Sequence, residues 1–242
     1  MYPYVLFTDV DGTLTPSRAA SYIDLGAAKF LRELSLRGFL VVLVSGNSVP
    51  VLRGLSLYLG LGGVVVAENG AVVFDRDVRV VCSGCEVVRE AVAEVLRYGG
   101  GFLRDSWQNR FRLCDRAIKW VGSEDRALST VSRALKELGF KGVKAVSSGY
   151  AVHLLPEGCS KDVGMWAIID SLGLNNSLKY CIGDSETDLP MRSVCDVLVA
   201  VGNADRGLKE VADVVTDAPS SRGFMEFASN LLKQLRSGAS NP

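Results

Sequence analysis

The stretch Phe39–Val44 reads FLVVLV, apolar at every position. A strand with one face in water alternates apolar and polar residues; an unbroken run fits a strand buried on both faces, as in a parallel sheet covered by helices. Tyr4–Thr8, Val64–Ala67, Lys179–Ile182 and Val197–Val201 have the same character, and Val214–Val215 reads as a short edge strand. Helical spacing lies between them. The segment 22–37 carries Ala27, Leu31 and Leu34 at i, i+4 and i+7, with Gly38 as its stop. Pro50 suits the first turn of a second helix. Met165, Ile168, Ile169 and Leu172 mark a helix over Val163–Leu172, and Phe224, Phe227, Ala228 and Leu231 a closing one. Strands alternating with helices predict an α/β fold with a Rossmann-like parallel sheet core.

That pattern is interrupted. Ala71–Phe74 and Val78–Val81 read as a hairpin around Asp75-Arg76-Asp77. Beyond it, helical periodicity over Glu86–Arg97 is followed by two alternating strands within 102–121. A helix over Glu124–Leu138 then precedes strands at Gly142–Ser147 and Tyr150–Leu155. Helix, strand, strand, given twice, is a small α+β module with a possible internal duplication rather than a continued βαβ series. The expected organisation is a discontinuous core, 1–79 and 158–242, with a small α+β domain inserted at 80–157. The polar tail Ser237–Pro242 is expected to be mobile.

Bulk properties exclude several functions. The 242 residues carry 27 basic and 27 acidic side chains. A neutral chain is not steered to nucleic acid or to an anionic membrane. No run of about 18 apolar residues indicates a membrane span, and the N-terminus lacks a signal-peptide pattern, so the expected location is cytoplasmic. Of six cysteines, Cys82 and Cys85 form a lone CxxC. With no second pair and one histidine this is a poor zinc site. The thiols read as unremarkable, Cys181 and Cys195 as core filler. Glutamine occurs only at Gln108 and Gln234, which fits a heat-adapted source.

In parallel α/β sheets, ligands bind outside the carboxyl ends of the strands. Small or polar residues succeed each strand here: Asp9-Val10-Asp11-Gly12-Thr13, Ser45-Gly46-Asn47, Glu68-Asn69-Gly70, Gly183-Asp184-Ser185-Glu186-Thr187-Asp188 and Gly202-Asn203-Ala204. The sheet would gather Asp9, Asp11, Asp184 and Asp188. Clustered carboxylates require a cation, and oxygen ligands without histidine or cysteine favour Mg²⁺. Mg²⁺ is typically held by a few carboxylates and a substrate phosphate, so the expected partner is a small phosphorylated metabolite. Ser45 and Lys161 offer phosphate donors at strand and helix ends, with Ser160 as N-cap. Asp9 and Asp11, two apart on an extended segment, point to one side. One can attack phosphorus while the other moves a proton.

DVDGT at 9–13, Ser45, Lys161 and GDSETD at 183–188 resemble, in order and spacing, the four motifs of the haloacid dehalogenase (HAD) superfamily. The insert resembles the α/β cap of its Cof-like branch. TDVDGTLT, SGN at 45–47, AENGA at 67–71, HLLPEG at 153–158 and GDSETDLPM at 183–191 look most like the archaeal-type phosphoglycolate phosphatases. The resemblance implies Asp9 as nucleophile, forming an aspartyl phosphate. It implies Asp11 as general acid/base and as metal ligand through its backbone carbonyl. Asp9, Asp184 and Asp188 complete the Mg²⁺ site, and Ser45 and Lys161 hold the phosphoryl oxygens. It further implies hydrolysis of 2-phosphoglycolate, with a sugar phosphatase or broad Cof-like phosphatase as the alternative. A receiver-type phospho-switch is disfavoured by chain length and by the inserted cap. Two positions depart from the pattern: Thr187 stands where relatives often have asparagine, and Asp162 where they often have glycine.

Other polar residues read more plainly. Glu68 and Asn69 are expected to cap a turn. His153 reads as a packed or hinge residue, and Trp107 and Trp120 as core of the insert.

Overall fold

The structure, a computed structural model, describes residues 2–237. The expected mobile tail lies outside them, apart from Ser237. In chain order the elements are β1 (Tyr4–Thr8), α1 (Leu25–Leu36), β2 (Phe39–Val44), α2 (Val49–Tyr58), β3 (Val65–Ala67), β4 (Val72–Phe74) and β5 (Val78–Val80). Then come α3 (Cys85–Gly99), β6 (Leu103–Asp105), β7 (Arg116–Trp120), α4 (Glu124–Glu137), β8 (Val143–Ser147) and β9 (Val152–Pro156). The chain closes with α5 (Lys161–Leu172), β10 (Leu178–Gly183), β11 (Val197–Ala200), α6 (Arg206–Val211), β12 (Val214–Val215) and α7 (Ser220–Ser237).

Eight strands form one sheet in the order β12-β11-β10-β1-β2-β3-β4-β5. From β12 to β3 every pairing is parallel, and β3-β4-β5 are antiparallel. Every residue of β2 is buried, as its unbroken apolar run requires. The strand order reverses at β1: β2 lies on one side, and β10, reached only after the insert, on the other. That switch point is where an open α/β sheet leaves a crevice for a ligand.

The second sheet, β6-β7-β9-β8, is antiparallel. Val88, Ala91 and Val95 of α3 and Ala127, Val131 and Leu135 of α4 pack against Ile118, Val152 and Leu154 in a core separate from the main one. Alternation along β7 and β9 sends Ile118, Val152 and Leu154 to this core. It sends Ala117, Lys119 and His153 to the opposite face, which lines a cavity against the first sheet.

Of the element boundaries that differ from expectation, two have a clear local reason. The first helix starts at Leu25 rather than 22 because the Asp24 side chain caps it, accepting the Gly26 N–H. The strand expected from Tyr150 starts at Val152 because Ser148 and Ala151 bond to each other in a turn.

The cysteines are a correction. Cys82 and Cys85 do not pair with each other: Cys82 is bridged to Cys159 and Cys85 to Cys114. Cys181 and Cys195 are buried as expected but bridged to each other. Partners 77 and 29 residues away in the chain leave no local spacing signal. The Trp107 expectation also fails. It is 63% exposed, stacks edge-on to Phe111 and lines the cavity. Trp120 does pack against the core of the insert.

Candidate active site

Asp9 lies one residue past β1 and is still in register, its N–H donating to Ile182 O at 2.9 Å. Gly12 then turns the chain at φ +89°, where a Cβ would run into the Asp184 carboxylate. After β10, Asp188 reaches back over its own turn. Its Oδ2 accepts the N–H groups of Asp184 and Ser185, both at 3.0 Å, and its Oδ1 accepts from Lys161. Gly70, at φ +96°, lets the turn after β3 pass directly against the Ser160 carbonyl, where a Cβ has no room. That approach sets the start of α5 and so the root of Lys161.

Lys161 Nζ, buried, stands 2.7 Å from Asp9 Oδ1 and 2.6 Å from Asp188 Oδ1. Asp9, Asp184 and Asp188 each place a carboxylate oxygen within 4.8 Å of the others. Arg18 donates to Asp184 Oδ2 at 2.5 Å and also pairs with Asp205. Asp9 Oδ2 is buried and accepts no hydrogen bond among the described residues. Asp11 Oδ2 accepts from Asn47 Nδ2 at 2.8 Å, and Ser45 Oγ accepts from the same amide at 3.0 Å.

Asp9, Asp11, Ser45 and Lys161 line one cavity of about 650 Å³. Asp184 and Asp188 stand beside Asp9 without lining it. The far wall comes from the inserted sheet and includes Trp107, Gln108, Arg112, Lys119 and His153. Gln108 touches both walls, accepting the Ser48 N–H and donating to Asn47 Oδ1.

The electrostatics call for a cation. Asp9, Asp11, Asp184 and Asp188 face two directly paired cations, Lys161 and Arg18, and Arg18 is shared with Asp205, so acid outnumbers base at the site. Burial pushes the Asp9 carboxyl well above its ordinary range; Lys161 pulls it down, while Asp188, Asp184 and Asp11 push it further up. Burial, then Asp188, pushes Asp184 up to about 6. Burial also raises Asp11, against the Asn47 hydrogen bond. This excess of acid and the all-oxygen donor set fit a hard divalent ion. The acidic triad can therefore hold a divalent metal.

Several further residues complete the site. Glu68 and Asn69 sit at positive φ, 53° and 54°. Glu68 is no mere turn cap: its carboxylate accepts the N–H groups of Leu113, Cys114 and Asp115 in the inserted segment. Asn69 donates to Asp115 Oδ2 at 2.8 Å, and His153 Nδ1 lies 2.7 Å from that oxygen. His153 is packed, as expected, but also lines the cavity. Ser160 occupies the N-cap position of α5 without a side-chain cap; it bonds to Asp162 instead. Asp162 thus turns to Ser160 and Ser193 rather than to the Lys161 amine. Thr187 pairs with Ser185 at 2.7 Å at the cavity edge. A basic residue soon after DVDGT is a legible hint of Arg18. Arg112 and Lys119 carry no motif; only the alternation of β7 hints at Lys119.

An acidic centre at the switch point of a parallel sheet, facing an inserted antiparallel sheet, defines a capped α/β protein with a candidate metal site. The family described as haloacid dehalogenase-like hydrolase matches residues 6–100 and 118–227. The chain belongs to that family. It is 41% identical over 231 residues to a phosphoglycolate phosphatase of Metallosphaera sedula, covering 94% of this chain and 98% of that one. It is 38% identical to phosphoglycolate phosphatase 1 of Saccharolobus solfataricus, covering 95% and 96%. Among solved structures, Thermoplasma acidophilum 0175 superposes with TM-score 0.77 at 26% identity, covering 96% and 99%. The sucrose-phosphatase of Synechocystis shares the fold, with TM-score 0.67 at 18% identity over 95% and 98%.

Proposed function

We propose that the protein is a Mg²⁺-dependent phosphomonoesterase that hydrolyses 2-phosphoglycolate to glycolate and phosphate through an aspartyl phosphate on Asp9. The observation that carries this reading is the division of labour on Asp9. Oδ1 is held by Lys161, while Oδ2 is buried beside the cavity with no partner among the described residues. That is a positioned nucleophile. Residues 80–157 act as the cap domain over a core of 1–79 and 158–242.

Asp9 Oδ2 attacks phosphorus as the bond to the glycolate oxygen breaks. Asp11, whose raised carboxyl can carry a proton, gives it to that leaving oxygen. Asp11 then takes a proton from water, whose oxygen displaces Asp9 from phosphorus and frees phosphate. Ser45 and Lys161 hold phosphoryl oxygens throughout. Asp9, the Asp11 backbone carbonyl, Asp184 and Asp188 would hold Mg²⁺, which when bound supplies charge neutralisation for the phosphoryl group. The substrate assignment is supported by the near-full-length relatives named phosphoglycolate phosphatase. No described helix is long and apolar enough to cross a membrane, in keeping with a cytoplasmic enzyme of small metabolites.

The test is a comparison of kcat/KM for 2-phosphoglycolate, glucose 6-phosphate and p-nitrophenyl phosphate with added Mg²⁺. The expected order places 2-phosphoglycolate first. A hexose phosphate clearly ahead of it would overturn the substrate assignment in favour of a sugar phosphatase. Absence of turnover on all three would overturn the phosphatase reading.

A further inference from the structure

The wall of the cavity opposite the acidic centre is cationic. Arg112 and Lys119 both line it. Arg112 is only 6% exposed; among the described residues its Nε makes no hydrogen bond, and its Nη1 has an ion-pair contact but no aligned hydrogen bond. Its ion-pair neighbour there, Asp115, at 3.1 Å, is already shared with His153 and Asn69. A guanidinium buried at a cavity wall with unused N–H groups is costly unless a ligand completes it.

The segment that carries Arg112 is fixed before any ligand arrives. Glu68 accepts three consecutive N–H groups just after it, the Cys85–Cys114 bridge ties the same segment to α3, and Asn69 fastens Asp115 from the first sheet. Lys119, two residues along β7 from the cavity-lining Ala117, sits 3.9 Å over the Tyr150 ring and donates to Tyr150 O at 2.8 Å. Of its three N–H groups this names one acceptor, leaving capacity for an anion. Lys119 lies within electrostatic reach of Asp11, and Arg112 within reach of Lys119.

We infer that Arg112 and Lys119 form a carboxylate subsite that selects phosphate esters whose leaving group is itself an anion. The inference rests on the phosphomonoesterase reading and adds the determinant of its substrate class. The phosphoryl group sits at Asp9 and Lys161, and the leaving-group carboxylate meets the Arg112 fork and the Lys119 ammonium. An ester lacking the carboxylate leaves the buried Arg112 Nε and the remaining N–H groups of the half-buried Lys119 without that acceptor, so it is rejected.

The test compares kcat/KM for 2-phosphoglycolate, 3-phosphoglycerate and the neutral-leaving-group ester 2-hydroxyethyl phosphate in wild type, Arg112→Met, Arg112→Lys and Lys119→Met. Arg112→Met is expected to lose about 100-fold more on 2-phosphoglycolate than on 2-hydroxyethyl phosphate, the scale of a charged hydrogen-bond pair. Lys119→Met is expected to lose about 10-fold more, and Arg112→Lys to recover part of the selective loss. If Arg112→Met does not fold, Arg112→Lys and Lys119→Met carry the comparison. Parallel losses on charged and neutral esters in the folded variants would overturn the subsite, even with wild type preferring 2-phosphoglycolate. A wild type that prefers 3-phosphoglycerate yet shows the selective losses would instead overturn the phosphoglycolate assignment and support the subsite.

Discussion

Two residues apart at the end of one strand, Asp9 and Asp11 meet different neighbours. Asp9 is held against a buried lysine, and Asp11 against an asparagine amide at the cavity wall. Asp9→Asn keeps the shape and the Lys161 contact while removing the nucleophile, so phosphate release should fall below detection with the melting temperature in EDTA not lowered. Near-wild-type turnover would remove Asp9 from its proposed role. The metal site makes a second prediction through Asp184, held up to about 6 by burial, then Asp188, against an ordinary 3.8. A carboxyl whose folded value exceeds its unfolded one binds the extra proton in the folded state. Its contribution is therefore lost as pH rises from about 4 through 6. Without metal, stability should decline across that window. Added Mg²⁺ should restore more at pH 7.5 than at pH 5, because its ligands must be ionised. Asp184→Asn should flatten both trends in thermal melts, and an unaltered Mg²⁺ increment in that variant would remove Asp184 from the metal site.

At the scale of elements, the legible parts are those whose period is long or whose strand is buried on both faces. β2 and β10 announce themselves, and DVDGT and GDSETD mark the carboxyl ends of β1 and β10. Contacts between elements far apart in the chain were not legible. Glu68 grips Cys114 across 46 positions, and Arg112 owes its place to that grip. No local pattern encodes either. The hairpin of β4 and β5 shows the same kind of contact in a form that pH can report. Asp75, in its turn, accepts from Ser171 of α5 at 2.6 Å and pairs with Arg79 at 2.7 Å. Burial pushes its carboxyl up, but the Ser171 hydroxyl, the Arg76 N–H and Arg79 outweigh it and hold it down to about 2. A depressed folded value gives stability that is present above about 4 and lost as pH falls towards 2. Wild type should exceed Asp75→Asn by on the order of 1 kcal/mol at pH 5, after allowing for solvent screening, with most of the gap closing by pH 2.5. Urea titrations at the two pH values read this directly; a gap that persists at pH 2.5 would mean that Asp75 acts through shape rather than charge.

The whole molecule is two sheets joined by two passages of chain, and two of the three disulfides lie at or beside those passages. Cys82 lies just after β5, where the chain leaves the first sheet, and Cys159 just before α5, where it returns. Their bridge closes a loop spanning the entire inserted sheet, a sequence separation of 77. Cys85–Cys114 then ties the first turn of α3 to the Arg112 segment. The bridge holds the two passages of chain together, and with them the two walls of the cavity. Disulfides are rare in the cytosol of mesophiles but common inside hyperthermophiles. Three bridges and a chain with two glutamines fit a protein made for heat without implying export. Closing a loop of that length removes about 4–5 kcal/mol of chain entropy from the unfolded state. For a chain of this size that corresponds to roughly 10 °C in melting temperature. Cys82→Ser with Cys159→Ser should therefore melt about 10 °C below wild type under non-reducing conditions, and added reductant should narrow the difference. In denaturant without reductant, the wild-type chain should titrate no free thiol. If it titrated all six, and if the double variant melted with wild type, the bridges would not exist in solution, and the pairing of the two passages would rest on packing alone.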